Sequence, residues 1–185
     1  AAFMCALLNS QPMGFYSPSQ LVQDAQRHGI EVRPVDIAIS GWDSALEPAG
    51  GEGERPQAAV RLGLSLQRGM RKEAVARIED ARAIRPFESV SDLARRAQLD
   101  RHDLQVLAGA NALRSLAGNR RQALWQAVGA VPDKDLLRPT SLAEETPQLA
   151  APSEGDEIVG DYRAQGLTLG RHPLALLRPQ LLEKR

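Results

Sequence analysis

The sequence predicts a mostly α-helical bundle built from two consecutive helix–turn–helix units, with a small two-stranded β element near its N-terminal part. Helical spacing of apolar residues is clearest over 72–82, where Ala74 and Ile78 fall on one face. A second pair of short apolar helices follows at 92–97 and 101–108. Alternation of apolar and polar residues is confined to one earlier stretch, so helices dominate the prediction.

Composition divides the chain into four predicted segments. Residues 1–57 predict connector helices, a strand and a flexible loop, and residues 58–130 predict the tandem helical units. Residues 131–152 are rich in Pro, Ser, Thr and acidic side chains, which is typical of a linker. Residues 153–185 predict two C-terminal helices, the last of them short and starting at Pro173.

Residue types at the helix ends support these boundaries. N-caps are predicted at Ser17, at either Ser89 or Ser91, at Asp100 and at Ser153, because their side-chain oxygens can accept hydrogen bonds from the first backbone amides of the helical pattern that follows. Gly29 is placed as a left-handed terminator of the helix before it.

One stretch, Ile30–Ile39, alternates apolar and polar residues and predicts a strand, which Pro34 restricts to an edge position. The apolar stretch 59–64 predicts its partner strand. The intervening residues 41–57, rich in Gly and Pro, predict a flexible loop.

Composition also limits the classes of function. Cys5 is the only cysteine, which excludes an internal disulfide and a cysteine-based zinc site and fits a reducing, cytoplasmic setting. The three histidines share no spacing that predicts a metal site or a catalytic base, so no catalytic or metal-binding residue is predicted.

Apolar runs are too short to span a bilayer, so no membrane partner is expected. The chain opens without Met inside an apolar helical pattern, and we expect it to be a segment of a longer protein.

A net charge of zero hides a segregation of charge along the chain. Residues 61–125 carry 13 Lys or Arg against 7 Asp or Glu, whereas residues 1–60 carry 3 against 7 and residues 126–170 carry 3 against 8. A basic centre favours an anionic partner there, although a solvated helix surface would show the same composition.

The first turn of the basic centre has the layout of a helix-hairpin-helix: an apolar segment ends at Gly69, and a helix begins two or three residues later. Such a turn can present consecutive backbone amides to a phosphate oxygen without reading any base. We expect Gly69, Met70 and Arg71 to supply amides, and Arg68, Arg71 and Lys72 to supply charge. The alternative is a plain packing unit with surface arginines.

The second unit turns at Gln98–Asp100 without a glycine, so it is a poorer phosphate site and we interpret it mainly as packing support. The remaining basic candidates for contact with DNA are Arg95, Arg96, Arg101, Arg120 and Arg121. The last two open a helix at 119–127 and either contact phosphate or are simply solvated. Trp125 on that helix is expected to pack in the core rather than to stack on a base.

Several stretches together resemble a known family, the C-family bacterial DNA polymerases of the replicative alpha-subunit type. The resemblance rests on FMCALLNSQPMGFYSPSQLVQDAQRHGIEVRPVDI, the Gly69 hairpin, PFESVSDLARRAQLDRHDLQVLAGANALRSLAGNRRQALW and DYRAQGLTLGRHPLALLR, and it covers nearly the whole chain. The QPMGFY run resembles the error-prone, ImuC-type branch. It implies a tandem helix-hairpin-helix region lying between the end of the fingers and an OB-fold.

The resemblance implies sequence-independent binding of primer-template duplex DNA, within a parent polymerase that adds dNTPs to a primer. No cofactor is implied for this segment, because the Mg²⁺ of the parent would be held by palm carboxylates upstream. The parent would also bring other lesion-bypass proteins and the sliding clamp as partners. A protein-interaction or structural scaffold of a lesion-bypass complex is the alternative.

The sequence departs from the family pattern at two glycine positions. The family hairpin usually reads Gly-x-Gly, and Arg71 stands at the second glycine. Asn111 stands where the family tends to have another glycine, and Asn tolerates the left-handed conformation better than most residues.

Overall fold

The computed structural model describes residues 1–48, 57–130 and 147–183, and within them the chain is mostly helical, as predicted. The helices are α1 (Ala2–Asn9), α2 (Pro18–Arg27), α3 (Lys72–Ile84), α4 (Val90–Arg96), α5 (Arg101–Gly109), α6 (Arg114–Ala117), α7 (Arg120–Gly129), α8 (Glu154–Gln165) and α9 (Pro173–Glu183). The strands are β1 (Val32–Arg33), β2 (Ala45–Glu47) and β3 (Ala59–Arg61), and a 3-10 turn (Leu64–Leu66) joins β3 to the first hairpin.

Side-chain caps start the helices where the sequence predicts them. The hydroxyls of Ser17, Ser89 and Ser153 and the carboxylate of Asp100 each accept a backbone amide three residues on. Asp100 and Asp103 cap one another reciprocally, which satisfies two amides at the start of α5.

The sheet has three strands rather than the predicted two, in the order β1-β3-β2. β1 pairs with β3 as expected, in parallel register with Val32 opposite Val60. The additional strand β2 lies in the stretch predicted as a loop. It is held antiparallel to β3, and its Glu47 carboxylate bonds Arg33 at 2.6 Å and Arg61 at 2.8 Å across the sheet. These charge pairs are long-range, so local composition did not reveal the strand.

Two apolar clusters form the core. The larger lies within the helical units and includes the fully buried side chains of Ile78, Leu93, Leu104, Leu107 and Leu113. The smaller packs α1 and α2 against β3. Leu167, just after α8, is buried in this smaller cluster, so the C-terminal part contacts the N-terminal part directly.

Other sequence predictions need correction or extension. Trp125 is 55% exposed, so the prediction that it packs in the core is wrong. The last helix runs to Glu183 instead of ending near Leu177, and α6 was not predicted. Most of the predicted linker, residues 131–146, lies outside the described residues.

Candidate nucleic-acid interface

The first hairpin turns at Gly69, which has a φ of +83°, a conformation that a residue with a Cβ rarely adopts. α3 begins three residues later at Lys72. Within the described residues, the amides of Gly69, Arg71 and Lys72 donate to no protein acceptor. These donors gather at the positive end of a 13-residue helix.

Met70 does not take part as the sequence predicts. Its amide donates to the carbonyl oxygen of Gln67 at 3.1 Å, and its side chain is buried in the main core. Its amide is therefore occupied, and its role is to anchor the turn. The amide of Glu73 is also unbonded among the described residues, so the available amides shift toward α3, from Gly69–Arg71 to Gly69, Arg71, Lys72 and Glu73.

The first hairpin rests on the start of α5, through a contact that sequence reasoning missed. His102 Nε2 lies 2.9 Å from the carbonyl oxygen of Gly69, which accepts a hydrogen bond when Nε2 carries the proton. A Cβ at Gly69 would lie 3.4 Å from that imidazole ring. His102 is 33 residues from Gly69 along the chain, so no local signal could have indicated the contact.

Arg71, which stands where the family has a second glycine, ties the two helical units together. Its guanidinium bonds Asp100 at 2.5 Å and the fully buried carboxylate of Asp103 at 2.7 Å. The hydrogen bonds that Arg71 donates to Asp103 first, and then to Asp100, raise the pKa of Arg71 above its ordinary value. The Asp103 amide first, and then Arg71, lower the pKa of Asp100. The Arg71 side chain therefore orders the hairpin instead of reaching freely toward a ligand.

Two cations remain available beside this turn. Lys72 and Arg101 are both exposed, and neither forms an ion pair or a side-chain hydrogen bond with any residue that the structure describes. Arg101 adjoins His102 and so lies beside Gly69, while Lys72 opens α3. Together with the unbonded amides they supply positive charge at the turn, next to the exposed carboxylate of Glu73.

The arginines of α4 surround a single carboxylate, that of Asp92. Asp92 is bonded by Arg85 and Arg95 at 3.0 Å and by Arg96 at 3.1 Å. Burial would raise the pKa of Asp92, but the bonds from Arg96 and Arg95, aided by the Glu88 amide and the charge of Arg85, lower this pKa to about 2.

Arg95 and Arg96 differ in what they can still contact. Arg96 stacks on Phe87, 4.8 Å from the ring centroid, and also donates to backbone carbonyls, so it is a packing residue. Arg95 is 74% exposed and keeps donors free for solvent or a ligand.

Three further candidates hold α8 against the helical units. Arg68 donates to the carbonyl oxygens of Tyr162 at 3.3 Å and Arg163 at 3.4 Å at the end of α8. The largely buried Arg120 pairs with Glu157 at 3.1 Å and with Asp161. The half-exposed Arg121 pairs with Asp156 at 3.0 Å.

The structure thus separates the ten predicted residues by location. Four of them, Gly69, Met70, Arg71 and Lys72, lie on the first hairpin, and Arg101 lies at the start of α5, next to His102, which contacts Gly69. Arg95 and Arg96 lie on α4, whereas Arg68, Arg120 and Arg121 contact α8. Asn111, the other departure from the family pattern, adopts the left-handed conformation with a φ of +57°.

Membrane-spanning helices and clusters of metal ligands are both absent from the described ranges. None of the helices there is both long and apolar enough to cross a membrane. No three or more His, Cys, Asp or Glu side chains in those ranges are grouped so that they could hold a metal ion.

The first hairpin turns at Gly69 and leads into α3, and the second turns between α4 and α5. Arg71 ties the first turn to the start of α5, and this arrangement is that of a helix-hairpin-helix protein. The family model described as "Helix-hairpin-helix motif" matches residues 29–123, and the chain belongs to this family.

The chain is similar, more particularly, to error-prone DNA polymerases, which confirms the resemblance seen in the sequence. It is 59% identical to the enzyme of Bordetella parapertussis over 181 residues, which are 97% of this chain and 17% of the relative. It is 58% identical to that of Burkholderia pseudomallei over 189 residues, and 54% identical to that of Alkalilimnicola ehrlichii over 185 residues. Those two alignments span 100% of this chain and 17% and 18% of the relatives. The chain therefore corresponds to about a sixth of the length of these polymerases.

Proposed function

We propose that this chain is the duplex-binding segment of an error-prone, translesion DNA polymerase, and that it holds the sugar–phosphate backbone of the primer-template without reading its sequence. The observation that carries the proposal is the set of unbonded amides at Gly69, Arg71 and Lys72, at the start of α3. Similarity to error-prone DNA polymerases over nearly the whole chain supports it.

Physical chemistry favours a phosphate at this turn. Backbone amides at a helix N-terminus bind an anion through hydrogen bonds and the helix dipole, and neither interaction depends on the base. The Lys72 and Arg101 side chains add charge on either side of the turn. Each phosphate they neutralise releases condensed counterions, which makes the affinity fall as salt rises.

The polymerase chemistry belongs, in this proposal, to other parts of the parent. The parent would add dNTPs to a primer with Mg²⁺. Among the described residues no three or more His, Cys, Asp or Glu side chains are grouped so that they could hold a metal ion, so these residues would only hold the product duplex. The setting would be the cytoplasm, where bacterial DNA lies, and the parent would work with other lesion-bypass proteins and the sliding clamp.

A salt titration of duplex binding tests this role. The affinity of the full chain for a primer-template duplex is measured by fluorescence anisotropy at several salt concentrations. Lys72→Ala and Arg101→Ala should each reduce the slope of log K against log salt by about one, because each removes about one phosphate contact. Arg27→Ala, at an exposed position on α2, is the matched control and should leave the slope unchanged.

Two outcomes would reject the proposal. One is binding no tighter than that of an inert control protein of similar charge. The other is wild-type slopes for Lys72→Ala and Arg101→Ala alongside a reduced slope for Arg121→Ala, which would move the contact to α7.

A second role, as a structural scaffold, is favoured by a different observation. The guanidinium groups of Arg68, Arg71, Arg96 and Arg120 are largely occupied by internal partners. They hold the helical units and α8 in one arrangement, which would fix the geometry of flanking domains. A partner protein that stays bound in a pull-down after nuclease treatment would support this role.

A further inference from the structure

Two neighbouring cavities lie along α8 and border the first hairpin at Arg68. The first, about 570 Å³ in volume, opens between α5, α7 and α8 and has Val106, Leu124 and Val159 among its apolar walls. The second, about 490 Å³, opens between α8 and α9 and is lined by apolar residues that include Ile158 and Leu177. Both volumes lie within the range of ligand pockets, and each could take a large apolar side chain.

Three residues line both cavities and so mark where they meet: Arg68, Val159 and Arg163. Arg68 donates to two backbone carbonyl oxygens but pairs with no carboxylate in the described ranges. Arg163 is exposed, and its side chain has no hydrogen-bond or ion-pair partner there either. Two positive charges without acidic partners therefore lie where the two cavities meet. The first cavity also contains Arg120, Arg121 and Asp156, whose charges are paired with one another or with other residues of α8.

The surface around the cavities is also unusually apolar. On α7, Leu124 is 40% exposed and Val128 is 56% exposed, and the two share a face because they are four residues apart. On α9, Leu174 and Leu177 are exposed in the same way, one turn apart. Contiguous exposed apolar side chains that extend across three helices are characteristic of an interaction surface.

We propose that this two-cavity groove binds a peptide segment of a partner protein, with one bulky apolar side chain in each cavity and an acidic side chain between them at Arg68 and Arg163. The acidic side chain of the peptide is inferred from charge complementarity, because Arg68 and Arg163 are the charged side chains of the groove that have no carboxylate partner among the described residues. The aliphatic walls favour apolar anchors, in the manner of a helix or peptide bound in a hydrophobic groove.

A single nucleic-acid strand fits the groove less well. Such a strand needs positive charge along its whole backbone and a series of stacking aromatic side chains. The second cavity has no charged residue other than the two shared arginines. The groove adjoins the first hairpin at Arg68 but uses none of the hairpin's backbone amides, so this proposal does not depend on the DNA-binding role.

The test selects ligands without assuming a sequence. A display library of random peptides of about twelve residues is selected on the immobilised full chain, and the affinities of enriched peptides are measured by fluorescence anisotropy. Enriched peptides should carry Asp or Glu between two large apolar residues. Val159→Asp and Arg163→Glu should each weaken their binding by about tenfold or more, which corresponds to about 1.4 kcal/mol.

Matched controls lie outside the groove. Ile84→Asp and Arg27→Glu make the same changes at exposed positions on α3 and α2 and should leave the affinity unchanged. Circular dichroism and urea unfolding check that every variant is folded. Replacing the acidic residue of a selected peptide by Lys should restore its binding to the Arg163→Glu variant.

The proposal is overturned if no peptide is enriched above a blank surface. It is equally overturned if enriched peptides bind Val159→Asp and Arg163→Glu as tightly as the unaltered chain. Tighter binding of an oligothymidine than of any selected peptide, with loss in the same two variants, would identify a nucleic-acid site instead.

Discussion

Arg120 packs closely against α8 at Gly160, where there is no Cβ. The substitution Gly160→Ala should therefore weaken the attachment of α8 to the helical units. A Cβ at this position would lie 1.5 Å from Nη1 and 2.6 Å from Cζ of Arg120. The guanidinium can make room only by moving away from Glu157 and Asp161, the partners that hold it on α8. The perturbation therefore breaks a largely buried ion pair without removing any of its members.

The size of the effect follows from the burial of the three groups. Breaking a buried ion pair costs about 3–5 kcal/mol when one charge is left uncompensated. Glu157 and Asp161 keep 29% and 21% of their side-chain surface exposed, so solvent reduces this to about half. Alanine in a helix interior returns about 1 kcal/mol relative to glycine. The net expected loss is about 0.5–1.5 kcal/mol in the free energy of unfolding.

Urea unfolding of the full chain measures this loss, and the thermal unfolding midpoint should fall by about 1–6 °C. Gly155→Ala on the same helix is the matched control, because a Cβ there would meet only Ser153 Oγ at an ordinary 3.9 Å. That variant should be unchanged or stabilised by up to about 1 kcal/mol. If Gly160→Ala is as stable as Gly155→Ala, then Arg120 does not hold α8 in the way described.

Three further predictions concern single residues. The Asp92 pKa of about 2 lies below its ordinary 3.8, so the stability that Asp92 contributes is fully present above about pH 4 and is lost as the pH falls toward 2. Urea unfolding between pH 5 and pH 2 should show a fall of about 2 kcal/mol in the free energy of unfolding, and the Asp92→Asn variant should lack this fall. Equal pH profiles for the two proteins would contradict the prediction. Gly63→Ala should destabilise the fold by about 3 kcal/mol or prevent folding, because its Cβ would lie 2.4 Å from the Asp43 carbonyl carbon; wild-type stability in urea would refute this close approach. Asn111 has a φ of +57°, so Asn111→Ala should lower the free energy of unfolding by about 1 kcal/mol, whereas Asn111→Gly should not. Equal urea midpoints for the two variants would show that this left-handed conformation does not determine the stability at this position.

Local chemistry explains why the helix starts were predictable from the sequence. Ser17, Ser89 and Ser153 cap amides only three residues away, so each cap and its partner lie within one short window. The left-handed turns at Gly29 and Gly69 were likewise readable, because they depend on the absence of a Cβ at a single position.

Strand β2 and the exposure of Trp125 show where this reasoning failed. β2 depends on Arg33 and Arg61, 14 residues to either side of Glu47, across a stretch whose composition is typical of a loop. Trp125 belongs to an apolar helical pattern, and the pattern alone does not say which apolar residues the neighbouring helices cover.

By itself, the sequence determined the helical class, the caps and the position of a hairpin at Gly69, since these depend on residues within a turn of one another. Only the tertiary structure decided which basic side chains remain available. Arg71 and Arg120 find carboxylates 32 and 41 residues away, while Lys72 and Arg101 find none in the described ranges. An arginine in a sequence carries the same charge whether or not it is paired, and pairing depends on distances that the fold alone sets.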